Sequence, residues 1–386
     1  MAAVGVNVGD GGDTTGQQQH PPAPIILFSL TIFGKFCSLF HWSGHGLIMR
    51  HVGAMYVGAG SRQRKRLMYN RMSAILRTKS SVKVALGMDG RDIMEVKKCP
   101  HREVDEADIE AYRRDGFVVL RGAVPAGILS SLERGVDFNM SSPSAWSNDY
   151  AGPPPEGGAD DGCGGRFFDD YVNWDRIPEF RHAATSGPLP RIAGDLMGTR
   201  SPRFYHEHVL VKEPGTVAST PWHQDDPYYG IDSMNNVSLW MPLDPVPDVV
   251  ALRCLAGSHA DGRRYVPNRF VDGAPYVSVA PDGFEMLTDP ARFWSDPRQR
   301  SCPANPGDVV AFHFRTLHAA PALEDHRGRR RVVSFRYLDD DARWSLRPWK
   351  TSPPFSNGGL VPGDLLDGGR FPIVDLDGGP SSSSHP

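Results

Sequence analysis

Arg203-Phe204-Tyr205-His206-Glu207-His208-Val209-Leu210-Val211-Lys212 is a ten-residue run rich in aromatic and β-branched side chains, and Glu213-Pro214-Gly215 stops it with a turn. That composition and that ending predict a strand. Shorter runs of the same kind follow at Val237-Ser238-Leu239-Trp240-Met241, Asp308 to Phe314 and Arg331 to Tyr337, each bounded by turn residues. Strands at this spacing predict a mainly β fold, a sandwich or jelly roll. Upstream, Glu103 to Gly116 reads as a helix, with acids in its first turns, bases in its last and a glycine to cap it. Phe117 to Arg121 is then a strand, Ile128 to Phe138 and Pro188 to Met197 are helices flanking the β body, and Asn139 to Gly165 is a long Ser-, Pro- and Gly-rich loop.

The composition agrees. In 386 residues there are 41 Gly and 34 Pro, a loop-rich balance that disfavours a helical bundle, while 40% hydrophobic and 23% charged residues describe an ordinary globular chain. The net charge of −3 gives no reason to expect nucleic acid. Five widely spaced cysteines, Cys37, Cys99, Cys163, Cys254 and Cys302, form no CxxC pair and read as free thiols in a reducing, intracellular compartment.

The charge is unevenly spread. Residues 1–88 carry +8, with no acid from Thr14 to Met88, which leaves −11 for the rest. The expected organisation is a basic extension over 1–102, a folded domain over 103–375 and a disordered tail over 376–386. An acid-free, Arg-rich leader fits either an organellar transit segment or a disordered extension without an address, so the compartment is cytoplasmic or organellar. The apolar run from Pro24 to Phe40 is broken at Lys35 and is short of the roughly 20 residues that span a bilayer, so no stable membrane insertion is expected.

Chemistry concentrates in Pro221-Trp222-His223-Gln224-Asp225-Asp226-Pro227-Tyr228. In an extended segment, residues i and i+2 face the same way, so His223 and Asp225 would offer a nitrogen and an oxygen to one point. By itself His-x-Asp is a common polar turn. The downstream set is rarer: His318 lies beyond the apolar strand that starts at Asp308, and Arg329-Arg330-Arg331 opens the next strand. Two imidazoles and a carboxylate on one face form the facial triad of non-haem iron oxygenases. A buried guanidinium is the matching partner for a distal carboxylate. His313, five residues before His318, is the alternative ligand; His318 is favoured because it follows the strand and stands nearer the arginines. Strand alternation puts Arg330, Val332, Ser334 and Arg336 on one face, and Arg331, Val333, Phe335 and Tyr337 on the other.

With these motifs in this order, together with Ser238-Leu239-Trp240-Met241-Pro242-Leu243-Asp244 and Ala256-Gly257-Ser258-His259, the chain from about Asp105 to Val374 resembles the phytanoyl-CoA dioxygenase family of iron(II)/2-oxoglutarate dioxygenases. The resemblance implies a double-stranded β-helix with iron(II) held by His223, Asp225 and His318. It also implies 2-oxoglutarate as co-substrate with its C5 carboxylate on Arg330, and O₂ as oxidant. Trp240 matches the family tryptophan beside the co-substrate, and His208 lies on a strand that borders it. The implied reaction hydroxylates an unactivated C–H bond of a small substrate, an acyl-CoA or a natural-product-like metabolite, while 2-oxoglutarate becomes succinate. Related halogenases lack the triad carboxylate, so Asp225 favours hydroxylation. One departure concerns Ala320, where the family often has a small hydroxyl residue that helps to bind the co-substrate.

Plainer readings stand beside these. Gln224 and Asp226 are either supports of the site or exposed, Trp222 and Tyr228 either site or core, and His206 and His259 structural. Asp339-Asp340-Asp341 is a solvated turn, and the segment with Trp344, Arg347 and Trp349 is a candidate lid. Arg263-Arg264 and Arg327 to Arg331 are candidate basic patches for a CoA. A cupin-type metal enzyme without 2-oxoglutarate and a non-catalytic jelly roll are the competing functions; Arg330 argues against the first and the intact triad against the second.

Overall fold

The structure is a computed structural model that describes residues 102–151, 165–270, 273–323, 328–366 and 368–377, with strand segments among the first hundred residues. The chain divides into two units, Met1–Pro100 and His101–Pro386. In the first, the segments Ala3–Asn7, Leu27–Ile32, Phe36–Ser43, Gly46–Met49, Ser81–Leu86 and Asp92–Lys97 pair in one six-stranded sheet. The expected basic extension and the tail fall for the most part outside the described residues. Among the described residues no helix is long and apolar enough to cross a membrane.

In the second unit the elements are, in order, α1 (Glu106–Asp115), β1 (Phe117–Leu120), α2 (Ala126–Ser141), β2 (Asn148–Ala151), β3 (Arg166–Tyr171), α3 (Pro178–Thr185) and α4 (Leu189–Met197). They continue with β4 (Arg203–Lys212), β5 (Thr220–His223), β6 (Asn236–Pro242), β7 (Leu252–Leu255), β8 (Gln299–Cys302), β9 (Val309–Phe312), β10 (His318–Ala320) and β11 (Arg330–Leu338). A seven-stranded antiparallel sheet runs β1-β9-β6-β11-β4-β3-β2, and a four-stranded one runs β5-β10-β7-β8. The two sheets form the expected jelly roll.

Local chemistry explains the first turn of this unit. Asp105 caps α1 by accepting from the backbone N–H of Asp108 at 3.0 Å, and the Asp108 carboxylate accepts from the N–H of Asp105 at 3.1 Å, a reciprocal capping box. Gly116 ends the helix at φ 79°, and a Cβ there would lie 2.4 Å from the His259 ring. Conformation and space both demand glycine at that position.

Alternation along the central strands sorts the core into two layers. Val209, Val211, Leu239, Met241, Val333, Phe335 and Tyr337 pack outward against α2, α3 and α4 through Leu132, Val136, Phe180 and Ile192. On the opposite face Trp240, Val310, Phe312 and Val332 meet Leu252, Cys254, Cys302 and Ala320 of the smaller sheet. Cys254 and Cys302 are buried free thiols, as expected. The side chains of the other three cysteines are outside the described set.

Three local expectations need correction. The loop predicted from Asn139 to Gly165 begins as the last turn of α2 and contains β2, with residues 152–164 outside the described set. β3 escaped the pattern because Arg166-Phe167-Phe168-Asp169-Asp170-Tyr171 carries two adjacent acids, yet both are buried. Asp170 accepts from Asn139 Nδ2, the Ser144 backbone N–H and Ser144 Oγ, which satisfies its charge inside the fold. The short α3, entered through Pro178, was also unforeseen.

Candidate metal centre and co-substrate cavity

His223 is the last residue of β5, and its register partner across the strand pair is His318, the first residue of β10. The imidazole centroids are 4.1 Å apart. Asp225 joins them by a route that strand alternation does not describe. Its backbone is helical, φ −70° and ψ −41°, and it opens a short 3₁₀ turn over Asp226–Tyr228. The strand must therefore end before the carboxylate swings back, so the extended-segment picture of His-x-Asp is replaced by a strand end followed by a turn.

The donor geometry is specific. Asp225 Oδ1 lies 3.7 Å from His223 Nε2 and 3.8 Å from His318 Nε2. One donor atom from each residue lies within 4.8 Å of the others, and all three residues are buried. The opposite ring nitrogens are committed: His223 Nδ1 donates to the Pro221 carbonyl at 2.8 Å and His318 Nδ1 to the Thr316 carbonyl at 2.9 Å. A carbonyl only accepts, so each Nδ1 carries the proton and each Nε2 keeps a lone pair.

Electrostatics hold the same protonation states. Burial first, then the His318 ring, pushes His223 down to about 3, and burial lowers His318 too, so both are neutral imidazoles. For Asp225 burial opposes ionisation, but the Arg336 charge and the hydrogen bond from Ser238 outweigh it and hold the carboxyl well below its usual range. Three acceptor atoms without a proton between them converge on one point. Such an arrangement suits a divalent cation and is unfavourable without one.

The second oxygen of Asp225 is held elsewhere, by Ser238 Oγ donating at 2.8 Å and Arg336 Nε at 3.4 Å. Ser238 and Arg336 are themselves register partners on β6 and β11. Neither was nominated from the sequence. The available signal was Arg336's place on the same strand face as Arg330.

The triad lies in a cavity of about 640 Å³. Arg330, Trp240 and His208 all line it. Of the three consecutive arginines, Arg331 turns to the other face and pairs with Asp244 at 2.9 Å, while Arg329 lies 3.9 Å from Glu213 at the surface. Arg330 is buried, donates from Nη1 to the Val250 carbonyl at 2.7 Å and has no carboxylate partner among the described residues. Burial pushes its guanidinium down to about 10. His208 Nε2 meets Asp169 Oδ2 at 3.3 Å in the cavity wall.

The structure also sorts the plainer readings. His313 is outside the triad: it bonds the Met234 carbonyl and accepts from the Arg315 N–H. Gln224 is a buried tie to the Arg263 and Arg315 carbonyls and the Tyr265 N–H, and Asp226 pairs with Arg264 at 2.7 Å. Trp222 packs on Phe293 and Trp294, whereas Tyr228 and His206 line the cavity. His259 bonds the Arg113 carbonyl. The C-terminal segment does border the cavity, through Lys350, Thr351 and Ser352, anchored by Trp349 Nε1 donating to the Pro227 carbonyl at 2.9 Å.

Comparison with known proteins decides the family. The family model described as phytanoyl-CoA dioxygenase (PhyH) matches residues 112–331, a span that contains the triad and Arg330. The chain belongs to the phytanoyl-CoA dioxygenase family. Membership brings the cofactors expected from the sequence: iron(II), for which two neutral imidazoles and a carboxylate are the fitting donors, and 2-oxoglutarate with O₂. Among solved structures, the non-heme alpha ketoglutarate dependent carbocyclase SnoK from nogalamycin biosynthesis is similar at 22% identity and TM-score 0.52, over 70% of this chain and 96% of that one. The alpha ketoglutarate dependent epimerase SnoN of the same biosynthesis is similar at 21% identity and TM-score 0.53, over 69% and 95%. At these identities the likeness is one of fold. A search of curated proteins gave no match.

Proposed function

We propose that this family member hydroxylates an unactivated C–H bond of a small organic molecule, with His223, Asp225 and His318 as the iron ligands and Arg330 as the anchor of the 2-oxoglutarate C5 carboxylate. The observation that carries this reading is the convergence of two Nε2 lone pairs and Asp225 Oδ1 in a cavity whose wall holds a buried, carboxylate-free arginine. When bound, iron(II) with 2-oxoglutarate and O₂ supplies the oxidation, one oxygen atom ending in succinate and the other on the substrate carbon, with loss of CO₂.

The chain's own part is positioning and exclusion of water. Pro221 and Thr316 carbonyls fix the rings, and Ser238 with Arg336 fixes the carboxylate. Trp240, Phe270, Tyr171 and Tyr276 give the cavity apolar walls that keep solvent from a reactive centre. Related halogenases lack this carboxylate, so the presence of Asp225 supports hydroxylation over halogenation.

Of the basic patches considered for a CoA, Arg263 lies 3.7 Å from Glu285, Arg264 pairs with Asp226, Arg329 lies 3.9 Å from Glu213 and Arg331 pairs with Asp244, while Arg330 is buried and Arg327 is outside the described residues. This favours a small metabolite over an acyl-CoA. The test is turnover of the iron(II)-loaded full chain with 2-oxoglutarate and O₂, with succinate measured against a panel of small metabolites and products read by mass. Stimulated succinate release with a product heavier by one oxygen is expected. Iron binding without any succinate would sink the 2-oxoglutarate reading; coupled succinate with an unchanged oxygen count would replace hydroxylation by another oxidative outcome.

A further inference from the structure

Lys212 and Arg330 are register partners on β4 and β11, so their side chains leave the sheet on the same face, and both line the cavity. Only 2% of Lys212 and 5% of Arg330 is exposed. Lys212 Nζ donates to the Ala218 carbonyl at 2.6 Å and stands 4.7 Å from the centroid of the Phe167 ring. Neither cation has a carboxylate partner among the described residues, whereas the nearby Arg331 and Arg336 are paired with Asp244 and Asp225. Burial, and after it the charge of Arg330, holds the Lys212 ammonium well below its usual range. Adjacent buried cations with no anion between them repel each other and have lost their water. An anion entering from the cavity would relieve that repulsion and keep both groups charged. Ala320, in the same wall, offers no side-chain donor; its register partner Thr220 brings a hydroxyl to the cavity, and Lys212 and Arg330 are the adjacent cations for the distal end of a bound dicarboxylate.

We infer that Lys212 is the second cation of the co-substrate pocket, holding the distal carboxylate of 2-oxoglutarate together with Arg330. The inference rests on the co-substrate reading above. It gives Lys212 a binding and selectivity role: two positive charges select a 2-oxo acid with a distal carboxylate over one that ends in a methyl group.

The test compares wild type with Lys212→Met, which keeps the length and apolar stem without the charge, in the iron(II)-loaded full chain under anaerobic conditions. Half-saturation is read for 2-oxoglutarate and for 2-oxobutyrate from the visible absorption of the chelate. Without the charge-assisted hydrogen bond from Lys212, half-saturation for 2-oxoglutarate rises about ten- to a hundredfold. Half-saturation for 2-oxobutyrate stays in place, so selectivity collapses, and the melting temperature of the metal-free variant holds or rises because the repulsion is gone. A merely structural lysine, tying the Ala218 loop, would instead lower the melting temperature and shift both acids equally; that result overturns the inference. Lys212→Gln keeps a donor for Ala218 and should lose selectivity as Met does, so wild-type selectivity in Gln also overturns it. Should wild type itself bind no 2-oxo acid, the co-substrate reading fails, an outcome separate from a normal wild type with a silent Lys212→Met.

Discussion

Ser238 Oγ donates to Asp225 Oδ2 at 2.8 Å, the shorter of the two contacts, with Arg336 at 3.4 Å, that set which way the carboxylate faces. With Oδ2 engaged, Oδ1 is the oxygen presented to both imidazole Nε2 atoms. Removing an orienting partner of a metal ligand costs about ten- to a hundredfold in metal affinity. Ser238→Ala is therefore expected to weaken iron(II) binding by that order in an anaerobic titration, with circular dichroism unchanged. Unaltered affinity would mean that Arg336 alone orients the carboxylate.

His313 and His318 are five residues apart and do different work. His318→Ala should abolish retention of iron(II) through desalting, because it removes one of three donors. His313→Ala should keep the iron and instead loosen the Met234 and Arg315 loops, lowering the melting temperature. Metal analysis of the two purified variants checks this, and a reversed pattern would move the centre.

Arg331 offers the contrast to Arg330. Its guanidinium is nearly buried against Asp244, at 2.9 and 3.1 Å, on the helix side of the sheet. Arg331→Ala should destabilise the fold by about 2 kcal/mol, the scale of the charged hydrogen bonds it removes, read by urea unfolding. Half-saturation for 2-oxoglutarate should not change.

Glu207 gives the fold a pH dependence. It is fully buried behind the cavity wall, and burial pushes its carboxyl up from 4.5 to about 8, although the backbone N–H groups of Asn173 and Trp174 donate to it. A folded value above the unfolded one means that the native state binds the extra proton. That contribution to stability is complete below about pH 4.5 and is lost as pH rises through about 8. Urea midpoints should fall across this window in wild type and fall less in Glu207→Gln. Parallel profiles would show that Glu207 is ionised in the native state.

Phe335 anchors the helix-facing core with Phe180 and Phe204. Phe335→Ala should cost about 3–5 kcal/mol in urea unfolding. Since its neighbours Ser334 and Arg336 face the other way, 2-oxoglutarate affinity of the folded fraction should be retained.

Much of this was legible because successive side chains on a strand point to opposite faces whatever their burial. It placed Arg330 and Arg331 on opposite faces of one strand, and the fold turns the first to the cavity and the second to the helices. His318 was legible from its place after an apolar strand, and the register makes it the partner of His223. What stayed hidden depends on neighbours distant in sequence. β3 hides behind Asp169 and Asp170, whose burial is permitted by Asn148 and by Asn139 and Ser144 respectively. Ser238 and Arg336 could not be matched to Asp225, because that residue leaves the strand and turns, and no pattern along the chain records where a turn delivers a side chain.

Anaerobic titration of the iron(II)-loaded protein with 2-oxoglutarate, following the weak visible charge-transfer band in wild type and in Arg330→Ala, reads the metal centre and the Arg330 anchor together. A band that saturates in wild type and needs far more 2-oxoglutarate in the variant is expected. Iron bound at the triad with no band at any 2-oxoglutarate concentration would overturn the co-substrate reading and leave a metal enzyme of a different kind in the same jelly roll.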